Sequence, residues 1–306
     1  VGALAGDLLT DADYNIAIGY AALGGDTLGS RSTAIGTGAL TTQYFATATD
    51  SYNTAIGFNT GNAVTTGTHN TLVGGLVGDA LTDADRNTAL GYGALSADTL
   101  GSHSTALGNL TLVNQNFTTA TDTYNTAVGS SAGQEITTGI NNTLIGGRAG
   151  DALTDADFNV AIGTEALSSD TLGSKSTAIG RATLNVQNFT TATDAYNVAV
   201  GFNAGVAVTT GINNTLIGAE SGDAITDADH NTALGFRSLS TNVLGSRSVA
   251  LGAGSLFAQN PATAVDMYNV GIGYEAGVAV TTGINNTLIG ALAGDALTDA
   301  DYNVAI

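Results

Sequence analysis

Acidic residues recur in this chain as the motif Thr-Asp-Ala-Asp-x-Asn, in which two aspartates and an asparagine occupy alternate positions. Oxygen ligands at alternate positions of a loop are what a Ca²⁺ site needs. The motif therefore predicts calcium binding at each copy. The alternative is that the aspartates cap backbone amides in turns. The candidate calcium ligands are Asp11, Asp13, Asp83, Asp85, Asp155, Asp157, Asp227, Asp229, Asp299 and Asp301.

A second candidate site is a row of long polar and aromatic side chains, each five residues before a recurring glycine. This position holds all three histidines and four of the seven basic residues. It is either an exposed corner that tolerates any long side chain, or a row that contacts a ligand or another chain, where tyrosine and arginine are favoured. Its members are Tyr14, Arg31, Tyr52, His69, Arg86, His103, Tyr124, Lys175, Tyr196, His230, Arg247, Tyr268 and Tyr302.

Residues for nucleophilic or acid–base catalysis do not form a set in this chain. There is no cysteine, and no histidine recurs beside a serine and an aspartate at matching positions. Carboxylate pairs are abundant, but near-identical copies suit a structural role better than a single active site. We therefore expect no enzymatic activity, and no cofactor other than Ca²⁺ at the motif above.

The charge balance limits the partners of the chain. Acids number 26 and bases 7, which gives a net charge of −19. Such a chain is repelled by nucleic acid and by anionic membrane surfaces. No run of about 18 apolar residues occurs, so the sequence predicts no membrane insertion. The 42 glycines and single proline fit a chain that turns often, without the period of collagen.

The elements that carry these residues are set by a repeated pentad, Asn-Thr-Ala-Ile-Gly, seen for example from Asn53 to Gly57. Its closing glycine recurs at spacings of 17, 17, 21 and 17 residues, which make a 72-residue repeat of four coils. Fixed spacing of this kind indicates a solenoid. We predict one repetitive domain over 1–306. Because both ends fall within a motif, we expect a segment of a longer array.

Each coil is predicted to contain a short strand, since β-branched and small apolar residues precede the glycine. Seventeen residues suit two strands of about five residues and two turns. The 21-residue coil would then emit a surface loop, at Thr42–Ala46 and Val113–Phe117. Four residues before the glycine stands Asn or Ser, which can fix a turn and stack as a ladder. The ladder asparagines are Asn15, Asn53, Asn70, Asn87, Asn125, Asn142, Asn159, Asn197, Asn214 and Asn231.

The predicted strand is apolar on both faces, although a thin coil can bury only one of them. A strand that is apolar on both faces must be covered on both. A lone chain would expose an apolar stripe along its length. The sequence therefore predicts parallel association of copies about the long axis. The alternative is a coil wide enough to bury both faces itself.

The pentad, one per coil, closely resembles the head repeat of trimeric autotransporter adhesins of the YadA type. It is also similar to shaft and collar repeats of phage tail fibres. The resemblance implies a left-handed parallel β-roll with three chains in a bundle, on a surface fibre or adhesin. The expected fold class is thus all-β, a parallel β-solenoid of 17/17/17/21-residue coils in a homotrimer.

The expected function is a stiff, non-enzymatic fibre or adhesin. It would lie outside the cell, on a cell surface or on a virus-like appendage, with a host-surface glycan or protein receptor as partner. A second hypothesis is a ligand-binding solenoid with an ice- or glycan-binding face of stacked threonines, which are Thr33, Thr54, Thr71, Thr88 and Thr105. A third hypothesis is a polysaccharide depolymerase.

Overall fold

A computed structural model describes residues 1–306, and it is all-β with no helix. The chain divides into two compact units, Val1–Asp155 and Ala156–Ile306. Each unit is a parallel β-solenoid whose coils follow the glycine spacing, and together the units make about 17 turns. The prediction of an all-β parallel solenoid is confirmed.

Every coil contributes one short strand, here called a core strand. In the first unit the core strands span Ile16–Ile18, Thr33–Ile35, Thr54–Ile56, Thr71–Val73, Thr88–Leu90, Thr105–Leu107, Thr126–Val128 and Thr143–Ile145. In the second unit they span Val160–Ile162, Thr177–Ile179, Val198–Val200, Thr215–Ile217, Thr232–Leu234, Val249–Leu251, Val270–Ile272, Thr287–Ile289 and Val304–Ala305.

Within each unit, neighbouring core strands pair in parallel and in register, so that equivalent residues stack in columns. Ala17 pairs with Ala34, and Ile18 with Ile35. The closing glycines have φ between 122° and 145°. A Cβ on Gly129 would lie 2.4 Å from the carbonyl oxygen of Gly146. The close approach of successive backbones therefore excludes any side chain at this position.

In the interior, large side chains pack against glycines, which have no side chain. The central residue of a core strand is normally a buried alanine such as Ala55, but once per repeat it is leucine. Leu72 is fully buried, and Cβ atoms on Gly61 and Gly78 would lie 2.9 and 3.1 Å from its two methyl carbons. One leucine thus occupies the space that two glycines leave open, which keeps the interior densely packed.

The prediction of two five-residue strands per coil is wrong. The second apolar stretch, Ala22-Leu23, lies in a turn, and Leu23 has φ of 52°. A 17-residue coil must reverse its direction completely. The chain achieves this with left-handed residues at several points, which leaves room for one three-residue strand.

The longer coils add pairs of two-residue strands. The predicted surface loop is right only in part, because Gln43 is fully buried and Phe45 is 5% exposed. Thr42, Tyr44 and residues 46–48 are exposed. The paired short strands are Gly29–Ser30 with Thr49–Asp50, Gly101–Ser102 with Thr121–Asp122, Gly173–Ser174 with Thr193–Asp194, and Gly245–Ser246 with Val265–Asp266.

Asparagines just before the core strands link successive coils. Asn53 Oδ1 accepts the N–H of Asn70 at 2.9 Å, and Asn53 Nδ2 donates to the Gly67 carbonyl at 2.7 Å. Both polar atoms of a buried side chain are thereby satisfied. Asn142 donates its own N–H to Asn125. The same acceptor bond is made by Asn15, Asn70, Asn87, Asn125, Asn159, Asn197, Asn214 and Asn231.

Candidate functional site

The core strands present an apolar face to solvent, here called the outer sheet face. It consists of the first and third residues of each core strand, whereas the central residue points inward. Ile56 is 37% exposed and Leu90 52%, while the central Ala55 and Ala89 are buried. No charged residue occupies the outer sheet face in either unit. The aliphatic members in the first unit are Ile18, Ile35, Ile56, Val73, Leu90, Leu107, Val128 and Ile145.

The threonines of the ice- or glycan-binding hypothesis lie on this same face, at the first residue of the core strands. In the first unit the column of threonines runs without interruption from Thr33 to Thr143. In the second unit it is broken by valines, namely Val160, Val198, Val249, Val270 and Val304. Each threonine stands two residues from an exposed aliphatic, so the face is mixed rather than uniformly hydroxylated.

The residues that stand five before each closing glycine, here called the corner row, adopt a backbone conformation that most residue types do not prefer. Every residue five before a closing glycine has φ between 50° and 64°. This left-handed region costs a non-glycine residue about 1 kcal/mol, and Gly or Asn occupies it most readily. Only Asn141, Asn213 and Asn285 follow that preference. Phe158 also belongs to this row and was not recognised from the sequence. Long side chains held in an unfavourable backbone conformation point to a role for the side chains themselves.

These corner side chains stack on one another from coil to coil. The Arg31 guanidinium lies 5.0 Å from the ring centre of Tyr14 and 5.7 Å from that of Tyr52. The rings of Tyr52 and His69 are 5.2 Å apart. Cation–π and ring contacts of this kind contribute about 0.5–1 kcal/mol each at exposed sites, which offsets part of the backbone strain.

Once per 72 residues, the corner row also forms a triad of Arg, Lys or His with an aspartate and a tyrosine. Arg31 Nε lies 2.9 Å from Asp50 Oδ2, which also accepts the Tyr52 hydroxyl at 3.4 Å. In the third copy, the hydrogen bond between Lys175 and Asp194 raises the pKa of the lysine and lowers that of the aspartate. Both groups are therefore charged at neutral pH. The other triads are His103–Asp122–Tyr124, Lys175–Asp194–Tyr196 and Arg247–Asp266–Tyr268.

The aspartates predicted as calcium ligands accept hydrogen bonds from neighbouring coils. Asp85 Oδ1 accepts the N–H of Thr68 at 2.6 Å, and Asp83 Oδ1 accepts the Thr66 hydroxyl at 2.5 Å. Asp229 and Asp301 accept backbone N–H groups in the same way. The structure brings no three His, Cys, Asp or Glu side chains together as a metal-binding group. Calcium binding at these aspartates stays a prediction.

Sequence reasoning missed a buried polar cluster in each repeat. Asp98 and Gln115 are fully buried. Asp98 Oδ2 accepts Gln115 Nε2 at 2.6 Å, and Asp98 Oδ1 accepts the N–H groups of Gly101 and Phe117 at 3.0 and 3.2 Å. Burial raises the pKa of Asp98, and these hydrogen bonds oppose that shift. Equivalent clusters form at Asp26 with Gln43 and at Asp170 with Gln187.

A row of exposed aromatic side chains was also missed. These rings follow the closing glycine directly, in three alternate coils of each unit, and are between 48% and 57% exposed. Aligning the coils on that glycine would have shown them in the sequence. We call them the aromatic row: Tyr20, Phe58 and Tyr92 in the first unit, and Phe202, Phe236 and Tyr274 in the second.

Between Phe236 and Tyr274 the aromatic row borders a cavity of about 350 Å³. Ala253, Gly254, Phe257 and Glu275 also line it. We call this cavity the open notch. Its volume lies at the lower end of the range of small-ligand sites, and its mixture of aromatic walls with few polar groups is typical of them.

Comparisons with known proteins give no assignment. No family model matches the chain. A search of curated proteins gives no match either. The structure contains no helix long and apolar enough to cross a membrane. The case for any function of this chain therefore comes from its own residues and their geometry.

Proposed function

We propose that this chain is a structural, non-enzymatic segment of an extracellular fibre or adhesin, in which three copies associate in parallel through the outer sheet face. The observation that carries the proposal is an apolar, charge-free face in a chain of net charge −19. Exposed apolar stripes of this extent mark interaction surfaces. The resemblance of the pentad to adhesin-head and tail-fibre repeats supports the same conclusion.

A second copy of the chain fits this face better than an unrelated partner. The face repeats with the coil in both units, and a parallel copy repeats with the same period, so that like residues meet at each level. Elsewhere the surfaces of two copies carry the same sign of charge and repel one another. The outer sheet face is therefore the part of the surface along which copies can approach. Closed cyclic symmetry then limits the assembly to a few chains.

The test is the mass of the assembly in solution, measured by light scattering after size-exclusion chromatography. The wild-type chain is expected to have the mass of three chains. The double variant Leu90→Lys/Leu234→Lys places a charge on the outer sheet face of each unit, at residues 52% and 49% exposed. It is expected to have the mass of one chain, with unchanged circular dichroism.

The matched control is Thr118→Lys, which adds the same charge at an exposed position in the loop of a longer coil. It is expected to keep the wild-type mass. A wild-type chain that is monomeric at all concentrations would contradict the proposal. An oligomer that survives the double variant unchanged would show that copies meet elsewhere.

A second candidate function is an ice- or glycan-binding face. The unbroken column from Thr33 to Thr143 favours it, because regularly spaced hydroxyl groups can order water or bond to sugar hydroxyls. An assay of ice recrystallisation tests the ice-binding form. Inhibition that is lost on changing Thr88 and Thr105 to Lys is the expected result, and no inhibition by the wild-type chain would reject it.

A further inference from the structure

We propose that the aromatic row of the second unit, Phe202, Phe236 and Tyr274, binds a neutral, extended chain of β-1,4-linked hexopyranose sugars, with the open notch as its main subsite. This inference goes beyond the proposed function. It uses residues outside the outer sheet face and does not require the chain to associate with itself.

The spacing of the rings is the first reason. Coils stack at about 4.8 Å, which is nearly the length of one pyranose unit in an extended chain. In a β-1,4-linked chain, each sugar is turned over relative to the one before, so the same apolar C–H face recurs at every second sugar. The aromatic row places an exposed ring at every second coil. The exposed rings and the apolar sugar faces therefore recur with nearly the same spacing along the stacked coils.

The glycine that lines the open notch is the second reason. Gly254 has φ of 65°, and a Cβ there would meet nothing closer than Glu275 Cγ, at 3.1 Å. The equivalent glycine in the first unit, Gly38, is covered, since a Cβ there would meet Asn59 Oδ1 at 2.2 Å. Asn59 therefore approaches Gly38 more closely than Glu275 approaches Gly254, and a cavity remains between Phe236 and Tyr274.

The polar groups around the notch suit sugar hydroxyls. Arg237 lies 5.1 Å from the ring centre of Phe236 and pairs with Glu220. Glu275 also lines the notch and shares a hydrogen bond with the Tyr274 hydroxyl. A hydroxyl can accept from the guanidinium and donate to the carboxylate, so both partners are used. The notch carries no excess of positive charge, and the chain as a whole carries −19, which disfavours acidic sugars.

The coils in which the aromatic row is interrupted distinguish it from a surface at which copies of the chain associate. The outer sheet face carries an aliphatic residue and no charge in every coil of both units. The aromatic row is absent through the middle of the chain, where the equivalent positions hold Asn109, Ser130, Gly147, Thr164 and Arg181. A surface for self-association along the solenoid would recur with every repeat. A row that occupies only three alternate coils in each unit, and is missing in the coils between them, is instead a local site.

The experiment is calorimetric titration of the 306-residue chain with a neutral β-1,4-linked glucose hexamer, and with a galacturonic acid hexamer as the acidic comparison. The wild-type chain is expected to bind the glucose hexamer and to bind the acidic hexamer at least about tenfold more weakly. Phe236→Ala and Tyr274→Ala are each expected to weaken binding about tenfold, the loss expected for one stacked ring.

Gly254→Asn closes the notch while leaving both rings in place. Asparagine tolerates the left-handed conformation, and only the flexible Glu275 side chain must shift to admit it. This variant is expected to weaken binding about tenfold or more. The control is Tyr44→Ala, which removes an equally exposed ring, 51%, from a loop away from the row. Its affinity is expected to stay within about twofold of wild type.

Three results would overturn the proposal. One is that the wild-type chain fails to bind the glucose hexamer. Another is that binding is unchanged in Phe236→Ala, Tyr274→Ala and Gly254→Asn. The last is that Phe236→Ala reduces the mass of the assembly, which would place the row between copies of the chain. None of these is the result that rejects the fibre proposal, because that proposal is tested on Leu90 and Leu234.

Discussion

Two groups of coils in the first unit, here called the apolar layer and the polar layer, fill equivalent interior positions with different kinds of side chain. In the apolar layer, Leu144 covers Gly133 and Gly150, where Cβ atoms would lie 2.8 Å from its methyl carbons, and it lies beside buried Ile136 and Leu153. In the polar layer, leucines stand in place of those glycines, and Asp98 and Gln115 stand in place of Ile136 and Leu153. The side chains of both layers are fully buried. Because one set is apolar and the other polar, the two layers are stabilised by different interactions.

The difference between the two layers shows which interactions hold the longer coil in place. The apolar layer is stabilised by burial and close packing. In the polar layer, Gln115 connects Asp98 to Ser104 and accepts from Asn125, so that one side chain ties the longer coil to its neighbours. Buried networks of this kind stabilise a structure only when each member is satisfied. The polar layer therefore fixes the path of the longer coil.

The largest expected effect comes from breaking the apolar layer. Leu144→Ala would leave a cavity above two glycines that cannot fill it, and it is expected to lower the free energy of unfolding by about 3–5 kcal/mol. Urea unfolding followed by circular dichroism measures the loss. Leu292→Ala, at a leucine 48% exposed, is the control and is expected to cost less than about 1 kcal/mol. Equal losses in the two variants would refute dense packing around Leu144.

The next effect comes from breaking the polar layer. Gln115→Leu removes the donor to Asp98 and leaves a buried carboxylate oxygen short of a partner, at an expected cost of about 2–4 kcal/mol. In the fourth repeat, Asn242 replaces the aspartate and Gln259 bonds to Ser248 and Asn269. Gln259→Leu is therefore expected to cost about half as much. Similar values from urea unfolding of the two variants would mean that the carboxylate is not what makes the glutamine important.

The polar layer should also make stability depend on pH. The pKa of Asp98 is raised in the folded state, so the folded chain holds this proton more readily than the unfolded chain. The stability from this residue is present below the unfolded pKa of an aspartate and is lost as pH rises through the folded pKa.

Asp98→Asn removes that dependence, so its stability relative to wild type should increase as pH rises towards neutrality. Asn242→Asp is the converse variant and should introduce the same loss with rising pH. Urea unfolding across a pH series compares the two. A difference between Asp98→Asn and wild type that is independent of pH would contradict the raised pKa.

The smallest expected effect concerns calcium at the repeated aspartates. Ligand that binds only the folded chain raises the melting temperature, and millimolar Ca²⁺ is expected to raise it by about 2–4 °C. Asp83→Asn combined with Asp85→Asn should reduce the rise, since two of the ten candidate carboxylates are lost. Mg²⁺ at the same concentration is the control. If chelator and Ca²⁺ give the same melting temperature, the aspartates act only as caps for the neighbouring coil.

Much of the coil could be predicted from the sequence, because its causes are local or periodic. The glycine spacing required a solenoid, β-branched residues before the glycine required a strand, and the asparagines had to bond near that strand. The second strand was not predictable in the same way. Its apolar residues, such as Leu23, are buried in a turn by the closure of the coil, and an apolar pattern does not distinguish a buried turn from a buried strand.

The sequence by itself determined the period, the parallel stacking and the columns of like residues, since these follow from spacing and from residue type. Only the tertiary structure decided which face of the core strand is buried, that Asp98 lies inside while Asp83 lies outside, and that Phe236 and Tyr274 border a cavity. These outcomes depend on how far the chain turns at each left-handed residue. That angle is set by the contacts of a coil with its neighbours, and no single coil of the sequence contains them.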